Sequence, residues 1–225
     1  MDSERLAQLE ADLRNAPVNK CREALDELAT YPAAEAVPLL CRVAQEGDFL
    51  RRRFAVMGLG NHRTDDSFAV LRSLLETEQD GNVLGEIANS LLEFGNRALP
   101  LIQQLFEKND SWITRQSIIG MLMEGDGDSD ETLLAVTRLG LQDNEQSVVE
   151  TAVLALGKLL KGDYFQQALS LLKPMTRDED WRLRWRSATA LSISDRPEAK
   201  ALLLPLQQDS HHRVVAAALE GSLPS

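Results

Sequence analysis

Aromatic side chains are scarce, 5% of 225 residues, although 44% of the chain is hydrophobic. The interior must therefore be filled by Leu, Ala, Val and Ile, which suits close helix packing better than a sandwich of aromatic and β-branched strand pairs. Cysteine is scarcer still. Cys21 and Cys41 are the only two, each within a helix-like pattern, so neither a disulfide framework nor a zinc site is expected, and the thiols read as reduced. Three histidines, His62, His211 and His212, supply little for a triad or a metal cluster, and no metal site is expected. No stretch approaches the roughly 18 apolar residues of a membrane span, and the acidic start lacks the basic and apolar regions of a signal peptide. A cytoplasmic protein without membrane insertion is the expectation. Positive charge is short as well: 24 Lys and Arg stand against 35 Asp and Glu, a net charge of −11, which argues against nonspecific binding to nucleic acid or an anionic membrane surface.

What the sequence has in abundance is a repeat. The pattern Val148, Val149, Glu150, Thr151, Ala152, Val153, Leu154, Ala155, Leu156, Gly157 places apolar residues at helical spacing. Its small anchor Ala152 has counterparts at Ala24, Ala55, Ala88, Ser117, Ser187 and Ala218, 29 to 35 residues apart, which fits two helices of about 12 residues with two turns. A Leu-rich helix precedes each anchor helix, as in Leu99, Leu101, Ile102, Leu105 and Phe106. The leading helices (A) are expected near residues 3, 33, 66, 97, 130, 163 and 197, and the anchor helices (B) near 18, 49, 81, 111, 145, 181 and 211. One helix pair cannot bury its apolar stripe, but stacked pairs share a continuous core. The fold class is therefore all-α: a right-handed α-solenoid of about seven helix pairs in a single domain spanning 1–225, with B helices on the concave side. The approximate repeats are 3–30, 33–60, 65–94, 97–122, 130–159, 163–193 and 197–221. Asp48, Asp110, Asp143, Asp178 and Asp209 lie in the turns leading into B helices, where a carboxylate accepts from free N–H groups, and Gly60 and Gly157 read as glycines closing B helices.

Asp143 followed by Val148, Ala152, Ala155, Leu156 and Gly157, and Asp178 followed by Leu183, Arg184, Ser187 and Ala190, resemble the short HEAT-like repeat of phycobilin lyases and phycobilisome-degradation proteins. The resemblance covers nearly the whole chain. Arg52 and Arg184 match the family arginine, whereas Cys21, Gly85, Thr114 and Val149 stand there in other copies. The resemblance implies a helical solenoid that binds a protein partner, with a phycobiliprotein as that partner. It also implies an alternative, a lyase subunit that holds an open-chain tetrapyrrole.

No Gly-x-Ser-x-Gly, His-Glu-x-x-His or P-loop motif occurs, and no catalytic residue is assigned. The acidic turn from Asp126 matches the early positions of a calcium loop but has Glu131 and Thr137 where Gly and Glu are needed. The informative feature is a column two residues before each anchor: Arg22, Arg53, Glu86, Arg115, Glu150, Trp185 and Ala216, flanked by Arg52, Arg182 and Arg184. Guanidinium and indole groups pair with carboxylates and stack on flat π systems. Arg22, Arg52, Arg53, Arg115, Arg184 and Trp185 are therefore the candidate partner-binding residues. The competing reading has the arginines bonding turn aspartates such as Asp48, Asp110 and Asp178 in a structural ladder, with the tryptophans in the core. A protein-binding module with no cofactor is the leading function; a lyase handling a non-covalently held bilin, and a scaffold unconnected with pigments, are the alternatives.

Overall fold

The computed structural model describes residues 2–125 and 127–221. Among these, the chain forms α1 (Asp2–Asn15), α2 (Val18–Leu28), α3 (Ala33–Gln45), α4 (Phe49–Asn61), α5 (Asp65–Thr77), α6 (Gly81–Leu92), α7 (Leu99–Lys108), α8 (Trp112–Glu124), α9 (Asp130–Gly140), α10 (Gln146–Leu159), α11 (Phe165–Met175), α12 (Trp181–Ser192), α13 (Pro197–Leu206) and α14 (His212–Glu220), with no strand. The odd-numbered helices are the A helices and the even-numbered the B helices, so the paired-helix solenoid class read from the repeat is the class observed. Pro17 and Pro32 stand at the N-caps of α2 and α3, where a missing N–H costs nothing.

The chain divides into two compact units, Met1–Thr114 and Arg115–Ser225. In the first, α4 packs on α3 and α6 and touches α2, around buried Leu25, Leu40, Leu59, Ile87 and Leu91. In the second, α12 lies between α10 and α14, around Leu156, Ala188, Leu191 and Val214. Each buried Leu contributes on the order of 2 kcal/mol, which no isolated helix of this length could collect.

Two details of the repeat differ from the sequence reading. Ala24, Ala55, Ala88, Ala152, Ser187 and Ala218 are buried, but Ser117 is exposed, and Ile118 takes the buried place in the fourth copy. The register of that copy moves by one residue, so Arg115 rather than Thr114 is the equivalent of Arg52 and Arg184. Second, Gly60 and Gly157 are not C-caps. Both lie inside their helices, whose C-caps are His62 and Leu160. They are small because a neighbouring helix runs against them. A Cβ on Gly60 would stand 2.9 Å from Ser90 Cβ, and one on Gly157 3.1 Å from the Cα and carbonyl oxygen of Ala190.

Candidate functional site

The starts of five B helices share one device. Three residues before the first helical residue, the side chain of Glu78, Asn109, Asp143, Asp178 or Asp209 accepts the backbone N–H two residues on, at 2.8–2.9 Å. Such turns satisfy an N–H that the helix leaves free. In three of the five, an arginine from the preceding B helix closes on the same carboxylate with two hydrogen bonds. Arg52 reaches Glu78 at 2.8 and 3.1 Å, Arg115 reaches Asp143 at 2.6 and 2.9 Å, and Arg184 reaches Asp209 at 2.6 and 2.9 Å. Arg52 also donates to the Gly47 carbonyl, and Arg184 to those of Asp178 and Glu179. The copies preceding Asn109 and Asp178 carry Gly85 and Val149 instead, and supply no guanidinium there.

These pairs are electrostatically consequential because they are mostly out of water. The Asp143 and Asp209 side chains are 7% and 8% exposed. Burial pushes Asp143 up, but Arg115 and the Glu145 N–H outweigh it and hold the carboxyl below its ordinary range. Arg184 first, and the His211 N–H, do the same for Asp209 against burial. Glu78, pushed up by burial, is likewise brought below its ordinary value by Arg52 and the Asp80 and Gln79 N–H groups. Arg52, Arg115 and Arg184 are therefore placed in staples between successive repeats. A structural ladder exists, but its acids are Glu78, Asp143 and Asp209 rather than Asp48, Asp110 and Asp178.

The other candidate residues lie elsewhere on the B helices. In the first unit, Arg22 and Arg53 border a cleft of about 640 Å³ between α2 and α4, floored by Val18, Leu50, Phe54 and Met57. Val18 is 52% exposed. Arg53 bonds buried Glu86 at 2.9 Å, a carboxylate within the same column rather than a turn aspartate, while Arg22 makes no ion pair among the described residues. Glu23 and Asp26 complete the rim, so the cleft carries both signs of charge around an apolar floor.

In the second unit, Trp185 belongs to a smaller cleft, about 410 Å³, lined by Glu150, Trp181, Arg182, Trp185, His211, His212 and Arg213. The rings form a pile: Trp181 lies parallel to His211 at 3.8 Å and 5°, His212 stands 4.8 Å from His211, and Trp185 sits 6.2 Å from Trp181 at 29°. Arg182 covers Trp181 at 4.7 Å and Arg186 covers Trp185 at 4.1 Å. His211 caps α14, its Nδ1 accepting from the Arg213 N–H at 3.3 Å. Burial, then the charges of His212 and Arg213, lower its pKa, which favours the neutral ring that this acceptor role requires. The tryptophans are half-buried rather than core residues. The sequence signal for the pile was the Trp181/Trp185 pair one turn apart; Arg213 was legible only once α14 was placed beside α12.

No cluster of His, Cys, Asp and Glu fit to hold a metal occurs among the described residues. Of the suspected calcium loop, Asp126 lies outside the described residues, and Asp130 pairs with Lys158 at 3.3 Å. Cys21 and Cys41 are both free thiols; Cys21 is buried and touched by Arg51. Among the described residues, no helix is long and apolar enough to cross a membrane.

The sequence pattern of HEAT repeats matches residues 6–92, 37–123 and 134–223. The chain belongs to the HEAT-repeat family. Solved structures similar to this HEAT-repeat protein include YibA of Escherichia coli, at 16% identity over 96% of this chain and 81% of that one, with a TM-score of 0.63. Kap121p bound to Nup53p is similar at 17% identity over 97% of this chain and 29% of that one, with a TM-score of 0.55. The CpcE–CpcF complex of phycocyanin lyase from Nostoc sp. PCC7120 matches at 16% identity, 96% and 93% coverage and a TM-score of 0.47, a likeness too loose to bear on function. No curated protein sequence matches this one. HEAT repeats of this kind are typical of protein-interaction scaffolds, and at these identities the structural likeness speaks to fold alone.

Proposed function

We propose that this HEAT-repeat protein is a protein-interaction module that grips a partner through the exposed faces of its B helices, and that the partner is a phycobiliprotein. The observation that carries the first half is the composition of those faces. Away from the staples, each unit has a cleft bordered by B-helix residues that combine exposed guanidinium groups with large apolar or aromatic side chains, the residue types that dominate binding energy at interfaces. The A helices contribute none of the cleft-lining residues. That Kap121p, similar in fold, is seen bound to Nup53p agrees with this use of the repeat. The phycobiliprotein half rests on the repeat resemblance carried by Asp143 to Gly157 and Asp178 to Ala190.

The test is to mix the purified chain with phycocyanin, and separately with phycocyanobilin and an apo subunit, and to follow co-elution and the visible absorption band. A co-eluting complex without bilin transfer supports the proposal. Transfer of bilin to the apo subunit would assign a lyase instead, and the absence of both would leave a scaffold with no pigment connection. Val18→Asp combined with Arg22→Glu, both on exposed positions of the first cleft, is expected to abolish co-elution while the helical circular dichroism stays unchanged.

A further inference from the structure

The aromatic pile of the second unit contains a cation that the fold leaves unused. Acids outnumber bases in this chain, 35 to 24, and most arginines near it are claimed. Arg184 is held by Asp209, Arg186 by Glu150 at 3.1 Å, and Arg182 is within 3.8 Å of Asp180. Arg213 differs. Its guanidinium stands 5.7 Å from the Trp181 ring and 5.6 Å from the Trp185 ring. Its side chain makes no hydrogen bond or ion pair with any described residue, and it is exposed. A guanidinium within cation–π reach of two indoles keeps its N–H donors available to an incoming carboxylate. Arg182 and His212, both exposed, stand in the same cleft.

We propose that this cleft is the docking site for an acidic segment of a protein partner, a carboxylate of which takes the paired N–H donors of Arg213. A second carboxylate is received by His212 and by Arg182, which Asp180 at 3.8 Å leaves 52% exposed, and the indoles cover the segment's aliphatic stems. This deepens the partner-binding reading above by assigning chemistry to one of its two clefts, and it rests on that reading. Charge complementarity selects the occupant. The cleft lining carries two arginines against one carboxylate, Glu150, on a chain of net charge −11, which disfavours the continuous phosphate run of a nucleic acid but tolerates a short acidic peptide. Glu150 within the lining adds a repulsive element against anions that do not align with the arginines.

The experiment titrates the full chain with a fluorescent oligo-glutamate peptide, using oligo-glutamine, oligo-lysine and a single-stranded oligothymidylate as controls, and reads anisotropy together with tryptophan fluorescence. Expected are salt-sensitive binding of oligo-glutamate alone, a change in tryptophan emission on binding, and a loss of about tenfold or more in affinity for Arg213→Gln, as removal of a charge-assisted hydrogen bond entails. Arg72→Gln, an exposed position on α5 outside both clefts, is expected to leave oligo-glutamate affinity unchanged. Equal affinity in Arg213→Gln, no binding of oligo-glutamate, or preference for the oligothymidylate would overturn the proposal. The two readings separate cleanly. Phycocyanin binding that is lost in Val18→Asp/Arg22→Glu but accompanied by no oligo-glutamate binding removes only this inference. Arg213-dependent oligo-glutamate binding without phycocyanin binding removes only the phycobiliprotein.

Discussion

Arginines one or two positions apart on the same helices do different work here, and the difference is decided by what carboxylate each one meets. Arg184 is 15% exposed and makes two hydrogen bonds to an Asp209 that also holds a backbone N–H; Arg182, two residues earlier, is 52% exposed and 3.8 Å from its acid. Arg184→Gln is therefore expected to lower stability by about 2 kcal/mol, trimmed by residual solvent access from the cost of breaking a fully buried pair. Arg182→Gln should stay within about 0.5 kcal/mol of the parent. The Arg184 deficit also depends on pH with a defined sign. Because Asp209 is held below its ordinary value of 3.8 in the folded state, its contribution is complete above that value and is lost as pH falls through the lower folded one. Denaturant titrations of both proteins should thus show a gap that is constant near neutrality and closes in acid. A gap that persists in strong acid would contradict the staple.

At the scale of the helix, the closeness of B-helix neighbours is set by what has no side chain. On Gly157 an added Cβ would meet the backbone of Ala190, which cannot rotate away, whereas on Gly120 it would meet nothing within 4 Å. Gly157→Ala is expected to cost about 1–3 kcal/mol by forcing α10 and α12 apart. Gly120→Ala, inside α8, is expected to gain up to about 1 kcal/mol from helix propensity. Thermal melts of the two variants check both signs. The helix pairs were legible in the sequence, because apolar spacing and turn residues repeat together. The role of the glycines was not, since a glycine near a helix end looks like a cap until the adjoining helix is placed. The fourth copy slipped by one residue for a related reason: Ser117 is small like the other anchors, and only burial shows that Ile118 fills the position. The ladder's arginines were visible, but their acids were misassigned because each belongs to the turn of the following repeat rather than to a turn beside its own helix.

For the molecule as a whole, the same B helices serve two purposes that the side chains keep separate. Buried arginine–carboxylate staples and glycine contacts join successive repeats, and exposed arginines with aromatic or aliphatic neighbours form the clefts. Of the candidate residues, Arg22, Arg53 and Trp185 stand at clefts, and Arg52, Arg115 and Arg184 at staples, a division that repeat position alone did not reveal. Amide hydrogen exchange on the chain with and without saturating phycocyanin tests the central claim most directly. Slowed exchange in peptides from α2, α4, α12 and α14, with α1, α3, α11 and α13 unchanged, is the expected result. Protection confined to the A helices, or no protection anywhere, would contradict it.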